Sequence, residues 1–422
     1  MSQQPRLLAS FERPPGLIKH DYHDFVVDEQ PLYNPSNSGT HTYFLLEKRG
    51  LSTLDAVHEI AQALNVGRRQ IGYAGLKDAR AVTRQWMSIE HIDPQRLTDL
   101  RNPRLRILHT ARHGNKLRLG HLVGNAFAIK VRQTDVQRLA DLQAALATLA
   151  DRGVPNYFGQ QRFGGRGDAW AVGRDVIRAD LDSALDRLLG QPSPRDHGTV
   201  RRARQLYDKG SFAQAARAWP GMFRAERRAL HLLQRPRASK KRAFLAIDKA
   251  LRKFYISAYQ SYLFNEVVAA RLRDGLHHLH RGDLAWVHQS RAVFHVLDPN
   301  AEQPRADAFE ISPSGPLFGY RMTEPDGEPA EIEARTLAAE HLTPRSFRLA
   351  GLRVKGGRRP LRFRPTQTAI TLGADDDGAY LELRFALPRG CYATSLLREL
   401  FVVQQPLSGD TARTNATRDS LE

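Results

Sequence analysis

The feature that most constrains this chain is where its hydrophobic period changes. Toward both ends, short apolar runs alternate with polar residues at the two-residue period of half-buried strands. Over residues 170–275 the spacing becomes almost entirely that of amphipathic helices. A helical block between two strand-rich ends predicts an insertion inside a domain that both ends of the chain build together.

Local signals place the elements around that change. Residues 16–32 read as two short strands joined by a polar turn, the first closing at Lys19 and the second opening at Phe25. Residues 42–47 form a strand. Ser52 caps a helix, with Asp55 three residues on and Leu54, Val57, Ile60, Ala61 and Leu64 at helical spacing; Asn65 and Gly67 end it. Residues 82–89 are a strand. Residues 105–132 are strand-like, broken by Gly114, Gly120 and Gly124, and a helix follows over 135–150. The glycine-rich 153–167 reads as a loop or hinge, and it lacks the Gly-Lys-Ser/Thr ending of a phosphate-cradling loop. Strand-like pieces at 284–287 and 293–296 lead to a turn-rich 312–316. A helix over 331–341 follows Pro329, residues 380–387 alternate as a strand, and a helix runs to Leu400. The predicted division is 1–153 and 345–407 as one split domain, 154–344 as the insertion, and 408–422 as a disordered tail.

Charge narrows the partner. Lys and Arg total 63 against 45 Asp and Glu, a net +18. Such an excess favours a polyanion, and nucleic acid over a membrane surface, since no basic amphipathic anchor is present. Residues 224–253 hold eleven Lys/Arg and two acids, and 351–364 hold six basic residues and no acid. One cysteine, Cys391, excludes an intramolecular disulfide and a Cys-based metal set, and suits the cytoplasm. No run of about 18 apolar residues predicts a membrane span, and the N-terminus lacks a signal-peptide core. His277, His278 and His280 cluster without the Cys or carboxylates that would complete a tetrahedral metal site. Nucleophile-elbow, zinc-helix and dinucleotide motifs are missing from the sequence.

The chemistry-bearing candidate is Asp78, the one acid among Lys77, Arg80 and Arg84 in the stretch IGYAGLKDARAVTRQWMSI. A carboxylate beside cations can serve as nucleophile or base, or as half of a surface ion pair; these residues leave both open. Phe25, Phe127, Tyr157, Phe158 and Tyr392 lie near turns, where rings can stack on a base flipped out of folded RNA.

The segments GLIKHDYHDFVVDE, YAGLKDARAVTRQW, NKLRLGHLVGNAF, VPNYFGQQRFG and LPRGCYATSLLREL, in that order, resemble the TruD-type tRNA pseudouridine synthases over nearly the whole chain. The resemblance implies an α+β protein: a pseudouridine-synthase core with a mixed, largely antiparallel sheet, and an inserted TRUD domain of mixed strands and abundant helices. It implies isomerisation of uridine to pseudouridine, at position 13 of glutamate tRNA, with no cofactor. Asp78 would be the catalytic nucleophile and Lys19 the basic partner of its carboxylate. Asn125 would hydrogen-bond near it, Phe127 would stack on the uracil, and Phe25 and Tyr392 would line the base pocket. The family usually has Phe where Tyr392 stands; the ring keeps its stacking face, and its hydroxyl needs a partner if buried. The carboxylate could attack the ribose or the uracil, or abstract a sugar proton. The implied partner is tRNA, bound by a monomer, with residues 224–253 and 351–364 on the RNA backbone. The 171–238 part of the insertion is longer and more arginine-rich than usual. A tRNA-binding or tRNA-folding protein without catalysis is the alternative, and an RNA nuclease a weaker third.

Overall fold

Strand pairing around the Phe25–Pro31 strand organises the first unit. The computed structural model describes residues 4–349 and 352–406, so the 408–422 tail expectation lies outside the described residues. Phe25–Pro31 runs parallel to Val82–Glu90 on one side and antiparallel to Leu122–Val131 on the other. From edge to edge the order is Thr366–Asp375, Gly378–Pro388, Leu122–Val131, Phe25–Pro31, Val82–Glu90, His41–Arg49 and Leu105–His113, with Gly72–Tyr73 pairing against Val82–Glu90. The sheet is mixed and largely antiparallel, and with the helices it makes an α+β protein.

Two helices cover the sheet, and the sequence explains why each forms. Thr53–Leu64 starts where the Ser52 side chain accepts from the Asp55 amide and ends at Asn65 in the left-handed region, as a C-terminal cap requires. Its Val57, Ile60, Ala61 and Leu64 pack with Phe44, Leu46 and Met87. Leu139–Arg152 buries Leu142, Leu146 and Leu149 against Ile129, Leu381 and Leu383. Arg132, itself buried, donates twice to Asp24 at 2.8 Å and so pins the start of the Phe25 strand. Pro15–Leu17 pairs in parallel with Val402–Gln404, joining the two ends of the chain within this unit.

The chain divides after Pro5, after Val154 and again after Arg362 into two compact units, the residues up to Pro5 grouping with Pro155–Arg362. The last division falls beyond residue 344 because Gly357–Pro360 pairs with Ile311–Leu317 and so belongs to the second unit's own sheet.

That second unit is mostly helical from Ala169 to Arg271. Ala169–Ile177 packs on the long helix Lys249–Arg271 across Gly173, where a Cβ would collide with the Tyr255 carbonyl; Trp170 stacks on Tyr262 at 4.2 Å. A four-stranded sheet runs Val293–His295, Leu284–Val287, Ile311–Leu317, Gly357–Pro360. Its third strand corrects the turn expected over 312–316. Ile311–Pro313 pairs with Leu284–Val287, and Ser314–Leu317 pairs with Gly357–Pro360. Pro313 has no N–H to give and bonds through its carbonyl, which accepts from the Leu361 amide at 2.9 Å. Tertiary pairing overrides turn propensity there. Among the described residues no helix is long and apolar enough to cross a membrane.

Candidate active site

Register decides which side chains meet. Phe25, Val27 and Glu29 lie opposite Ile129, Phe127 and Asn125, and Phe127 and Asn125 lie opposite Phe385 and Leu387 on the other side. Directly opposed residues share a face of the sheet, so these form one surface. At one end it is core, with Phe25, Ile129, Leu383 and Phe385 all buried. At the other end it turns polar, at Glu29 and Asn125. Phe25 and Phe127 meet edge to face at 6.2 Å, and Phe127 stacks on Phe385 at 5.1 Å. Phe127 itself is half-buried, so the ladder keeps a ring within reach of an occupant.

The loop carrying Asp78 closes on this surface. Asp78 Oδ2 pairs with Lys19 Nζ, and Asp78 Oδ1 accepts from the Arg80 amide at 3.1 Å. The Lys19 side chain is 8% exposed and that of Asp78 25%, so the carboxylate is the half of the pair open to a ligand. Lys19 Nζ also lies 4.4 Å from the centroid of Phe25. Asp78, Lys19, Phe25, Phe127 and Phe385 are thus connected contact by contact. Asn125 sits two residues before Phe127 on the same face, and its Oδ1 is buried with no partner among the described residues. Such an orphan acceptor is costly unless something fills it. Tyr392 stands half-buried at the N-cap of the helix Ala393–Leu400, just past Pro388, which lies opposite Gly124.

The cations nearest Asp78 in sequence go elsewhere. Lys77 Nζ pairs with Glu29 Oε2 at 2.5 Å. Arg84 binds Glu47 at 2.9 Å and Asp28 at 3.1 Å. The Arg80 guanidinium donates to the Pro406 carbonyl at 3.0 Å. Only the Arg80 backbone serves the carboxylate; the side-chain cation on Asp78 comes from 59 residues away.

Buried polar groups that sequence reading passed over hold the loop. Lys48, fully buried, donates to the carbonyls of Leu51 at 2.5 Å and Asp78 at 2.8 Å. Burial pushes its ammonium down to about 8, with Asp78 opposing that shift. Thr53 Oγ1 accepts from the Lys77 amide and donates to Gln85, whose amide reaches the Gly75 carbonyl. Burial pushes the Glu29 carboxyl up, with Lys77 acting against it. The strand period held a signal for Lys48: it shares a face with Phe44 and Leu46, where a lysine needs a buried partner.

Three arginines of the basic run at 351–364 turn inward. Arg358 donates to both Glu333 oxygens at 2.7 and 3.0 Å and is buried. Arg362, 1% exposed, donates to Ser312 and the Ala306 carbonyl. Arg359 packs 4.3 Å from the centroid of Phe158. These arginines knit the second unit and are not laid out for a polyanion.

The model of the family described as tRNA pseudouridine synthase D (TruD) matches residues 5–400. The tRNA pseudouridine synthase D of Geobacter metallireducens is 46% identical over 413 residues, covering 96% of this chain and all of that protein. The tRNA pseudouridine synthase D of Anaeromyxobacter dehalogenans (strain 2CP-C) is 37% identical over 401 residues, covering 95% and 97%. A crystal structure of a Methanosarcina mazei protein assigned as tRNA pseudouridine synthase D superposes with a TM-score of 0.78 at 26% identity, over 94% of each chain.

Proposed function

The chain belongs to the tRNA pseudouridine synthase D family, and we propose that it isomerises uridine 13 of tRNA, glutamate tRNA in the first instance, with Asp78 as the catalytic carboxylate. The observation that carries this reading is the Asp78–Lys19 pair, its carboxylate 25% exposed and its ammonium set against Phe25 of the Phe25–Phe127–Phe385 ladder.

The reaction breaks the bond from the ribose C1′ to uracil N1, turns the ring, and joins C1′ to C5. C5 gives up a proton and N1 gains one, so no electrons are exchanged and no redox cofactor is needed. The base must leave the stack first, and unstacking costs a few kcal/mol. A new stack on Phe127 would offset about 1–3 kcal/mol of that. The buried Asn125 amide oxygen would accept a uracil N–H, and Tyr392 would close the pocket with Phe25. Asp78 works ionised whether it attacks C1′ or the ring or takes a sugar proton, and Lys19 supplies the neighbouring positive charge in each case. Lys48, Thr53, Gln85 and the Glu29–Lys77 pair are positioning residues: they fix the loop's backbone so that the carboxylate is pre-aimed. Pro155–Arg362 would be the inserted TRUD domain, and the protein would act as a cytoplasmic monomer on tRNA.

Purified protein incubated with a glutamate tRNA transcript tests the assignment. Carbodiimide-blocked primer extension should stop at position 13, and the stop should vanish in a transcript with cytidine there. A transcript that stays unmodified at every uridine overturns it in favour of a binding protein.

A further inference from the structure

The helix Arg224–Leu233 carries Arg224, Arg227, Arg228 and His231, and Arg235 follows it, lining one groove of about 400 Å³ with Leu232. Positions 224, 228, 231 and 235 recur at helical spacing, so Arg224, Arg228 and Arg235, with His231 between them, form a stripe about 15 Å long on one side of the helix. The opposite side buries Ala229 and Leu230 in the second unit's core. The helix's single acid, Glu226, does not balance the stripe. It is partly buried and acts on Arg204 and Tyr255 of the interior, and burial raises its carboxyl.

This arrangement is unfavourable in isolation. Like charges three and four residues apart repel, and cations in the first turn oppose the helix dipole. Among the described residues one acid answers them: Asp248 lies 3.6 Å from Arg228, with both side chains largely exposed, a pairing worth little. Arg224, Arg227, His231 and Arg235 have no side-chain partner among the described residues, and Arg227 Nε is buried without one. A second groove in the same unit repeats the pattern with Arg202 and Arg217 and no acid in its lining.

We infer that the Arg224–Arg235 stripe is a docking surface for the phosphate backbone of the tRNA substrate, adding affinity without touching the reacting base. The inference rests on the proposed function for the identity of the RNA. Arginine suits it because its planar fork grips phosphate oxygens two at a time. A contact of this kind neutralises phosphates and releases counterions, so it must appear in the salt dependence of binding.

The test compares the full chain with R224Q/R227Q/R228Q/R235Q, measuring tRNA dissociation constants across a KCl series and the single-turnover rate at saturating tRNA. The expected Kd at 100 mM KCl rises by about ten-fold or more, and the slope of log affinity against log salt flattens by about two to three. The saturated rate stays within about two-fold of wild type, since none of the four substituted arginines is among the residues assigned to the pocket. The corresponding fourfold Arg→Lys variant keeps the charge and loses the fork, so its slope should stay within about one of wild type while its affinity falls between those of wild type and the Gln variant. Should the fourfold Gln variant fail to fold, Arg224→Gln and Arg235→Gln alone should each flatten the slope by about one. Unchanged affinity and slope in the folded Gln variants overturns the inference, as does a flattening of the slope that the Lys variant shares in full. Wild type that binds tRNA yet makes no pseudouridine would strike the proposed function instead, because the binding comparison needs no catalysis.

Discussion

Lys19 reaches Asp78 from a backbone held in the left-handed region, at φ +57°. A lysine there is uncommon and costs on the order of 1 kcal/mol. It sits between the Pro15–Leu17 strand and the short helical turn before Phe25, both of which are anchored independently. The strain therefore persists because its surroundings fix it, and it delivers an ammonium to the carboxylate. Strain of this kind concentrates at functional sites.

Replacing that ammonium should cost rate and not binding. Lys19→Met is expected to lower the single-turnover rate by about 100-fold or more, the scale of losing one preorganised electrostatic contact. Its Kd for tRNA should stay within a few-fold, by filter binding. Lys19→Arg should recover part of the rate because the charge remains.

Phe127 makes a different demand. Phe127→Ala removes a stacking face worth about 1–3 kcal/mol, so kcat/KM should fall by about one to two orders of magnitude. Phe127→Tyr keeps the face and should stay within about ten-fold. Because Phe127 also stacks on Phe385, thermal melting of both variants separates a pocket effect from a packing one.

Lys48 supplies a pH signature. Its ammonium is pushed down to about 8 by burial, against about 10.4 in an unfolded chain. Between those values the unfolded state binds more protons than the folded one, so stability rises with pH across that window and the gain is complete above it. Below pH 8 the ammonium is charged in both states and its bonds to the Leu51 and Asp78 carbonyls are at full strength. The turnover rate should therefore decline above about pH 8, and Lys48→Arg should move that decline upward. Rate profiles from pH 6 to 10 measure it; an alkaline limb indifferent to Lys48→Arg would remove Lys48 from the account.

The loop's own lysine is an anchor. Glu29→Gln leaves Lys77 buried without its counter-charge, which should cost about 3–5 kcal/mol. The loss should show in chemical denaturation, and Lys77→Met in the same chain should return part of it, since the two residues form one unit.

How much of this was legible depended on whether the cause was local. Ser52 and Asn65 bound their helix in sequence as in space, and the strands at residues 25, 42 and 82 announced themselves by period. Asp78's environment did not follow from its neighbours, because Lys77 and Arg84 point to other acids and the pairing with Lys19 is set by topology. The helix Pro299–Asp307 went unread because Pro304 interrupts its pattern. The strand Thr366–Asp375 went unread because most of its residues are exposed and carry little alternation. Charge runs were the least transparent. Arg358, Arg362 and Arg359 of 351–364 fold inward onto Glu333, Ser312 and Phe158, whereas the Arg224–Arg235 stripe meets almost nothing among the described residues.

That contrast separates the two basic stretches experimentally. Arg358→Met should lower stability by about 3–5 kcal/mol, by stranding Glu333 in the interior, while the folded fraction binds tRNA with an unchanged salt slope.

The most direct measurement concerns Asp78 itself. Asp78→Asn keeps the side chain's shape and removes its charge. The expected result is loss of pseudouridine from glutamate tRNA to below detection by carbodiimide-blocked primer extension, with Kd for tRNA within a few-fold of wild type. Pseudouridine formed at the wild-type rate by the folded Asn variant would contradict the assignment of Asp78 as the catalytic carboxylate.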